Sequence, residues 1–197
     1  GSNGSKQAGL DDSQPTQSPG NAISGMNASP VSMALSKTGE HACAITSAGS
    51  AWCWGSNSNG QLGNNGTNSS ATAVQVQVND SPTTSLPSVR SIAAGGSHTC
   101  AALSYNASYT EGIYCWGLND NGQLGDGSLA AYRALPVSTG LTRVVLVAAG
   151  QNNMCAIRDD DSVWCWGFNR DGEIGDGSLA WQKNIPSQVA RCDPGDY

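Results

Sequence analysis

Three blocks of residues recur in the same order three times along this 197-residue chain. Cys53-Trp54-Gly55 returns as Cys115-Trp116-Gly117 and as Cys165-Trp166-Gly167. Each copy is followed by a glycine-rich block: NGQLG at 59–63 and 121–125, DGEIG at 171–175. Another cysteine lies upstream, in HAC at 41–43, HTC at 98–100 and NMC at 153–155. IAAGG at 92–96 matches VAAGQ at 147–151, and repeats two and three share GDGSLA at 125–130 and 175–180. Such periodicity marks a stack of one supersecondary unit, in which no unit buries its apolar face alone.

The Trp-to-Trp spacing is 62 residues and then 50. Of the 12 extra residues, 5 fall between Cys100 and Cys115 and 7 between Cys53 and Cys100. Insertions confined to the spaces between matched blocks belong to surface loops. Within a repeat, segments such as 100–103 and 162–166 are short, apolar or alternating, and bounded by Gly, Asp, Asn or Ser, which reads as strand. Ser47-Ala48-Gly49-Ser50 and Asp159-Asp160-Asp161 fall where a hairpin must turn. Each unit reads as about four strands: one near the AAG segment, a hairpin joining the two cysteines, and a last one near Pro136 or Ile185. The expected class is all-β, with propeller-type blades of antiparallel strands. The expected divisions are a polar tail over 1–30, repeats over 31–80, 81–140 and 141–190, and a short tail over 191–197.

A G-x-H-T-C-A-like strand, C-W-G and N-x-N-G-Q-L-G together closely resemble the regulator of chromosome condensation repeat family, over about residues 31–190. The resemblance implies a propeller, usually of seven blades. The family includes a guanine-nucleotide exchange factor, a plant ultraviolet photoreceptor and secreted inhibitors of β-lactamase, so it implies the fold better than any one function. Propellers close with about four to eight blades. Three blades leave apolar faces and open edges to be covered. The cover is more of a longer chain, a ring completed between copies, or a head-to-tail fibre.

Composition narrows the partners. Charged residues make up 12% of the chain, half the usual share of ~25%. The net charge is -6 and the pI about 4.6, which argues against nucleic acid, whose phosphates need a basic face. No apolar run reaches about 18 residues, so membrane insertion is not expected. No signal peptide is visible and the chain opens on Gly1, which reads as a processed or trimmed form. Residues 1–30 are rich in Ser, Gly, Asn, Gln and Pro. Such a tail is expected to be ordered by a neighbouring subunit, adding a strand to it.

Cys43 and Cys53, Cys100 and Cys115, and Cys155 and Cys165 hold equivalent places in three hairpins. Opposed residues of antiparallel strands approach closely enough for a disulfide, so one bridge per blade is expected. Metal is not expected, because no C-x-x-C occurs and each blade holds two thiols. Cys192 is left over: it pairs between subunits, pairs with chain beyond Tyr197, or stays free. Asn-x-Ser/Thr occurs at Asn3, Asn27, Asn65, Asn68, Asn79 and Asn106. Four of these fall in the insertions, as glycosylation sites would. Cysteines and sequons together predict a secreted protein.

His41 and His98 share one repeat position, where the third repeat has Asn153. Duplication by repeat argues for a structural ring bonded to backbone within its blade. Ser97 beside His98 is no catalytic pair, since strand neighbours point to opposite faces. Asn119–Gly122 and Asn169–Gly172 resemble the start of a calcium loop, but the glutamate at its twelfth position is missing. Trp54, Trp116 and Trp166 are expected to pack between blades. Trp52 and Trp164 flank them, and Tyr114 stands at that place in repeat two. Trp181 is different: Ala131 occupies its place in repeat two, with Tyr132 beside it. Trp181 and Tyr132 are the interface candidates, because exposed aromatics are enriched at binding hot spots.

The sequence thus predicts a non-enzymatic, cofactor-free, secreted and glycosylated structural protein that self-assembles through blade faces and its tail. The alternative is a secreted propeller binding module or inhibitor that grips another extracellular protein through its loops. An enzyme or exchange factor stands third, because no catalytic constellation is visible.

Overall fold

The computed structural model describes residue 6 and residues 23–38, 40–78, 85–104 and 112–190. Its described part contains three four-stranded antiparallel sheets. The first holds β1 (Pro30–Leu35), β2 (His41–Thr46), β3 (Ala51–Gly55) and β4 (Ser70–Gln75). The second holds β5 (Val89–Ala94), β6 (His98–Leu103), β7 (Gly112–Leu118) and β8 (Tyr132–Ser138). The third holds β9 (Val144–Ala149), β10 (Asn153–Arg158), β11 (Val163–Phe168) and β12 (Gln182–Gln188). In every sheet the order in space follows the chain. The sheets form an open, propeller-like array that does not close on itself.

Strand register places the cysteines directly opposite one another, as Cys43 with Cys53, Cys100 with Cys115 and Cys155 with Cys165. All three pairs are bonded, with Cα atoms 4.0, 4.1 and 4.1 Å apart. In the fourth strand the ladder slips after the cysteine partner: Cys115 pairs with Val137 but Gly117 with Arg133. Cys165 pairs with Ser187 and Gly167 with Lys183 in the same way. Pro136 and Pro186 lie inside these unpaired stretches of the outermost strands, where a missing N–H costs no ladder bond.

The faces alternate along each strand. Cys43, Ile45, Ala51 and Cys53 of the first sheet form one core with Val89, Ile92, Ala101, Leu103 and Trp116, all from the second. Cys100, Ala102, Ile113 and Cys115 do the same against Val144, Val147, Met154, Ala156 and Trp166 of the third. A buried indole removes on the order of 150–250 Å² from water, so the junctions are the main cores.

The opposite face of the first sheet carries Ala42, Ala44, Trp52, Trp54 and Ala73, and Ile23 and Met26 pack on it. Backbone bonds hold this cover: Ala73 N–H donates to the Ser24 carbonyl (2.9 Å) and Ser47 N–H to that of Ser29 (2.8 Å). Residues 23–29, which the sequence places in the polar tail, therefore lie on their own chain.

Candidate binding surface

Each glycine-rich block is a loop built around one buried asparagine. Asn57 Oδ1 accepts the Leu62 N–H (2.9 Å), and its Nδ2 donates to the carbonyls of Gly66 and Asn68 (3.0 and 3.1 Å). Asn119 repeats this with Leu124 and Ser128, and Asn169 with Ile174, Ser178 and Ala180. These amides are consumed in shaping the loop, as are Asp120 against Gln123 Nε2 and the Glu173 carboxylate against Asp171 N–H. Asn119, Asp120 and Asn169 of the calcium-like stretches are thus engaged within their own loops. Among the described residues no cluster of three or more His, Cys, Asp or Glu could hold a metal.

The loop then meets the next blade. Trp116 Nε1 donates to the Gln61 carbonyl (2.8 Å) and Trp166 Nε1 to that of Gln123 (3.0 Å). A Cβ on Gly122 would lie 2.8 Å from the Cα of Asn184 in the following sheet, so only glycine allows this approach.

Both histidines are buried, but the bonding differs from the sequence expectation. His41 Nε2 meets Thr99 Oγ1 across the first junction (2.9 Å), and Thr99 Oγ1 donates to the Gln61 carbonyl (3.1 Å). His98 has Met154 where a threonine would stand, and neither ring nitrogen finds a well-formed hydrogen bond among the described residues. Burial, with His98 adding to it, holds His41 down at about 3. Burial likewise holds His98 at about 4, offset in part by the Asn153 backbone.

After the glycine-rich loop, each GDGSLA turn is pinned by its aspartate. Asp126 accepts Ser128 N–H and Oγ–H and faces Arg133 (3.5 Å). Asp176 accepts Ser178 and pairs with Lys183 (2.8 Å), and those bonds hold its carboxyl down at about 2. The pinned turns leave Leu129 and Leu179 exposed at their crowns. Neither leucine stood out in the sequence; the signal was its repetition in a turn that has no core to fill.

Trp181 is 59% exposed, yet it is held. Phe168 meets it edge-on (ring centroids 5.9 Å apart, 80°), and the Arg170 guanidinium lies 5.3 Å over its ring. Its carbonyl accepts the Asn169 N–H (3.0 Å). Tyr132 is also exposed, at the start of β8. The two lie on different blades. Trp164 bonds Ser162 Oγ (3.0 Å) and stays on its own strand. Asn27, Asn65 and Asn68 are exposed, whereas Asn3, Asn79, Asn106 and Cys192 lie outside the described residues.

The regulator of chromosome condensation (RCC1) repeat matches residues 48–102 and 111–157, more than half of the chain. This chain is a member of the RCC1 repeat family. A second RCC1 repeat description matches 34–61, 89–123 and 144–173. Among solved structures, human WBSCR16 superposes with a TM-score of 0.76 at 17% identity, covering 95% of this chain and 46% of that one. Prp20p from Saccharomyces cerevisiae gives 0.63 at 20% identity, covering 77% of this chain and 36% of that one. The RCC1-type chain described here therefore spans less than half the length of both.

These findings correct the secreted, extracellular and glycosylated reading. They also correct the self-assembling oligomer or fibre and its partners, whether copies of itself or an extracellular protein. The similar RCC1 protein Prp20p is described by its binding to Gsp1p and histones, that is, to other proteins. The physical basis of the earlier reading is also local. Hairpin register alone sets the cysteines opposite one another, and sequons arise readily in a chain rich in Asn, Ser and Thr. The face that a second copy would have to present, around Trp52 and Trp54, is already covered by Ile23 and Met26.

Proposed function

We propose that this RCC1-repeat chain is a non-enzymatic protein-binding module that grips a partner protein through its loops, with Trp181 as the anchor. The observation that carries this reading is the exposed but immobilised indole. Phe168 and Arg170 fix its orientation, so its ordering entropy is spent before a partner arrives. Trp and Arg are enriched at the centres of protein interfaces. Leu179 on the same blade, and Leu129 with Tyr132 on the neighbouring one, supply further exposed apolar surface. The net charge of -6 favours a basic partner face.

The partners named for Prp20p supply the first probes. Binding of Gsp1p and of a histone octamer to the immobilised chain is measured by interferometry at two salt concentrations. The expected result is binding of one probe that Trp181→Ala weakens by about tenfold or more, with no change in the unfolding midpoint. Binding of neither probe overturns the partner assignment. Binding that ignores Trp181→Ala overturns the surface.

A further inference from the structure

The third repeat departs from the other two at three places that touch one another. It has Phe168 where they carry Ser56 and Leu118, and Arg170 where they carry Ser58 and Asp120. Trp181 stands in the place of Ala131. The loop around these changes keeps its pattern, built on Asn57, Asn119 and Asn169. The three departures converge on one ring. Phe168 meets the Trp181 indole edge-on, and the Arg170 guanidinium lies over its face. The buried Asn169 between them anchors the backbone of that ring. Its N–H donates to the Trp181 carbonyl (3.0 Å) and its Nδ2 to the Ala180 carbonyl (3.0 Å).

The change at position 170 also reverses a charge. Asp120 spends its carboxylate on Gln123 Nε2 (2.9 Å) and Asn121 Nδ2 (2.8 Å), inside its own loop. Arg133, Arg143 and Arg158 each face an aspartate, at 3.5, 2.8 and 2.9 Å. Arg170 is exposed, and its N–H groups have no acceptor among the described residues. A guanidinium stacked on an indole keeps its in-plane fork open, and that fork matches a carboxylate with two parallel bonds. Apolar surface lies beside it. Leu179 is 78% exposed, and its Cδ2 is 3.6 Å from where a Cβ on Gly172 would stand, two residues past Arg170.

We propose that the Arg170–Trp181 pair reads a carboxylate: it takes an Asp or Glu side chain of the partner protein, while Trp181 and Leu179 take an apolar residue next to it. The proposal rests on the loop surface as the binding face and adds what that face selects. Charge complementarity identifies the occupant. The net charge of -6 draws a basic partner over long range. The local cation at Arg170 then favours an acidic residue at one position of that partner, which fixes register.

The test titrates the isotope-labelled full chain with capped pentapeptides that alternate leucine with glutamate, glutamine or phosphoserine. The readout is the Trp181 indole N–H resonance, assigned by its loss in Trp181→Phe. The glutamate peptide is expected to bind about fivefold or more tightly than the glutamine one. Arg170→Gln is expected to erase that preference. Arg170→Lys, which keeps the charge but not the fork, is expected to retain only part of it. Equal affinity for the glutamate and glutamine peptides overturns the proposal, as does a preference that survives Arg170→Gln. A response to the phosphoserine peptide alone, or to none of the three, overturns it too. Equal affinities that Trp181→Ala abolishes together leave the loop surface standing and remove only its choice of acid. Peptide binding that ignores Trp181→Ala removes the surface itself.

Discussion

The indole N–H of Trp116 lies 2.8 Å from the carbonyl oxygen of Gln61, a residue of the preceding repeat. Thr99 Oγ1 donates to the same oxygen at 3.1 Å. One backbone carbonyl thus joins a loop of the first repeat to two strands of the second.

Replacing either junction indole by phenylalanine removes a buried donor, and the cost depends on what else serves the carbonyl. Trp116→Phe leaves Thr99 on Gln61 and is expected to cost about 1 kcal/mol beyond the loss of ring volume. Trp166→Phe is expected to cost more, up to about 3 kcal/mol, because Met154 stands in the place of Thr99 and has no hydroxyl to offer. Urea unfolding of the two variants side by side checks the order.

Gly117→Ala is expected to be among the most damaging single changes. Its φ is 100°, and a Cβ would lie 2.5 Å from the Ser97 carbonyl oxygen. Strain and clash together should cost at least ~3 kcal/mol. Gly177→Ala is the control: its φ is 80° but nothing lies within 4 Å of the added carbon, so about 1 kcal/mol is expected. Thermal melts of both variants separate the two terms.

Acid should loosen the junctions before it touches the surface. Both imidazoles are held below their ordinary value in the fold, His41 at about 3 and His98 at about 4. The unfolded chain therefore takes up protons that the folded one refuses as pH falls below about 6.5. Stability is complete above that value and declines towards pH 4, by on the order of 2 kcal/mol for each ring at pH 5. His98→Asn, which places the third repeat's residue in the slot, should flatten this decline between pH 7 and 5 in urea titrations.

Opening the Cys100–Cys115 bridge by a double change to serine should cost on the order of 3 kcal/mol. The loop it closes spans 15 positions against 10 in the other two bridges. The matching change at Cys43 and Cys53 should cost slightly less. Chemical denaturation without reductant measures both.

Much of this architecture was legible in the residues because each repeat writes its own punctuation. The paired cysteines bracket a hairpin, Gly117 and its counterparts mark where the fourth strand slips, and GDGSLA marks a turn. Trp181 stood out because a repeat-based alignment left it unmatched. The cover over Trp52 and Trp54 was not legible, since Ile23 and Met26 sit in a polar stretch with no period. Nor was the His98 slot, because hydrogen bonds across a junction depend on a residue 56 positions later, Met154, and not on the histidine's own repeat. The extracellular reading failed for a related reason: register places the cysteines face to face as a property of the hairpin itself.

The indoles of Trp116 and Trp166 grip main-chain oxygen, which every amino acid carries. The joint is therefore made through the peptides of Gln61 and Gln123 rather than through their side chains. A gene built this way can gain or drop a whole repeat, and the new neighbours will already share a common fitting.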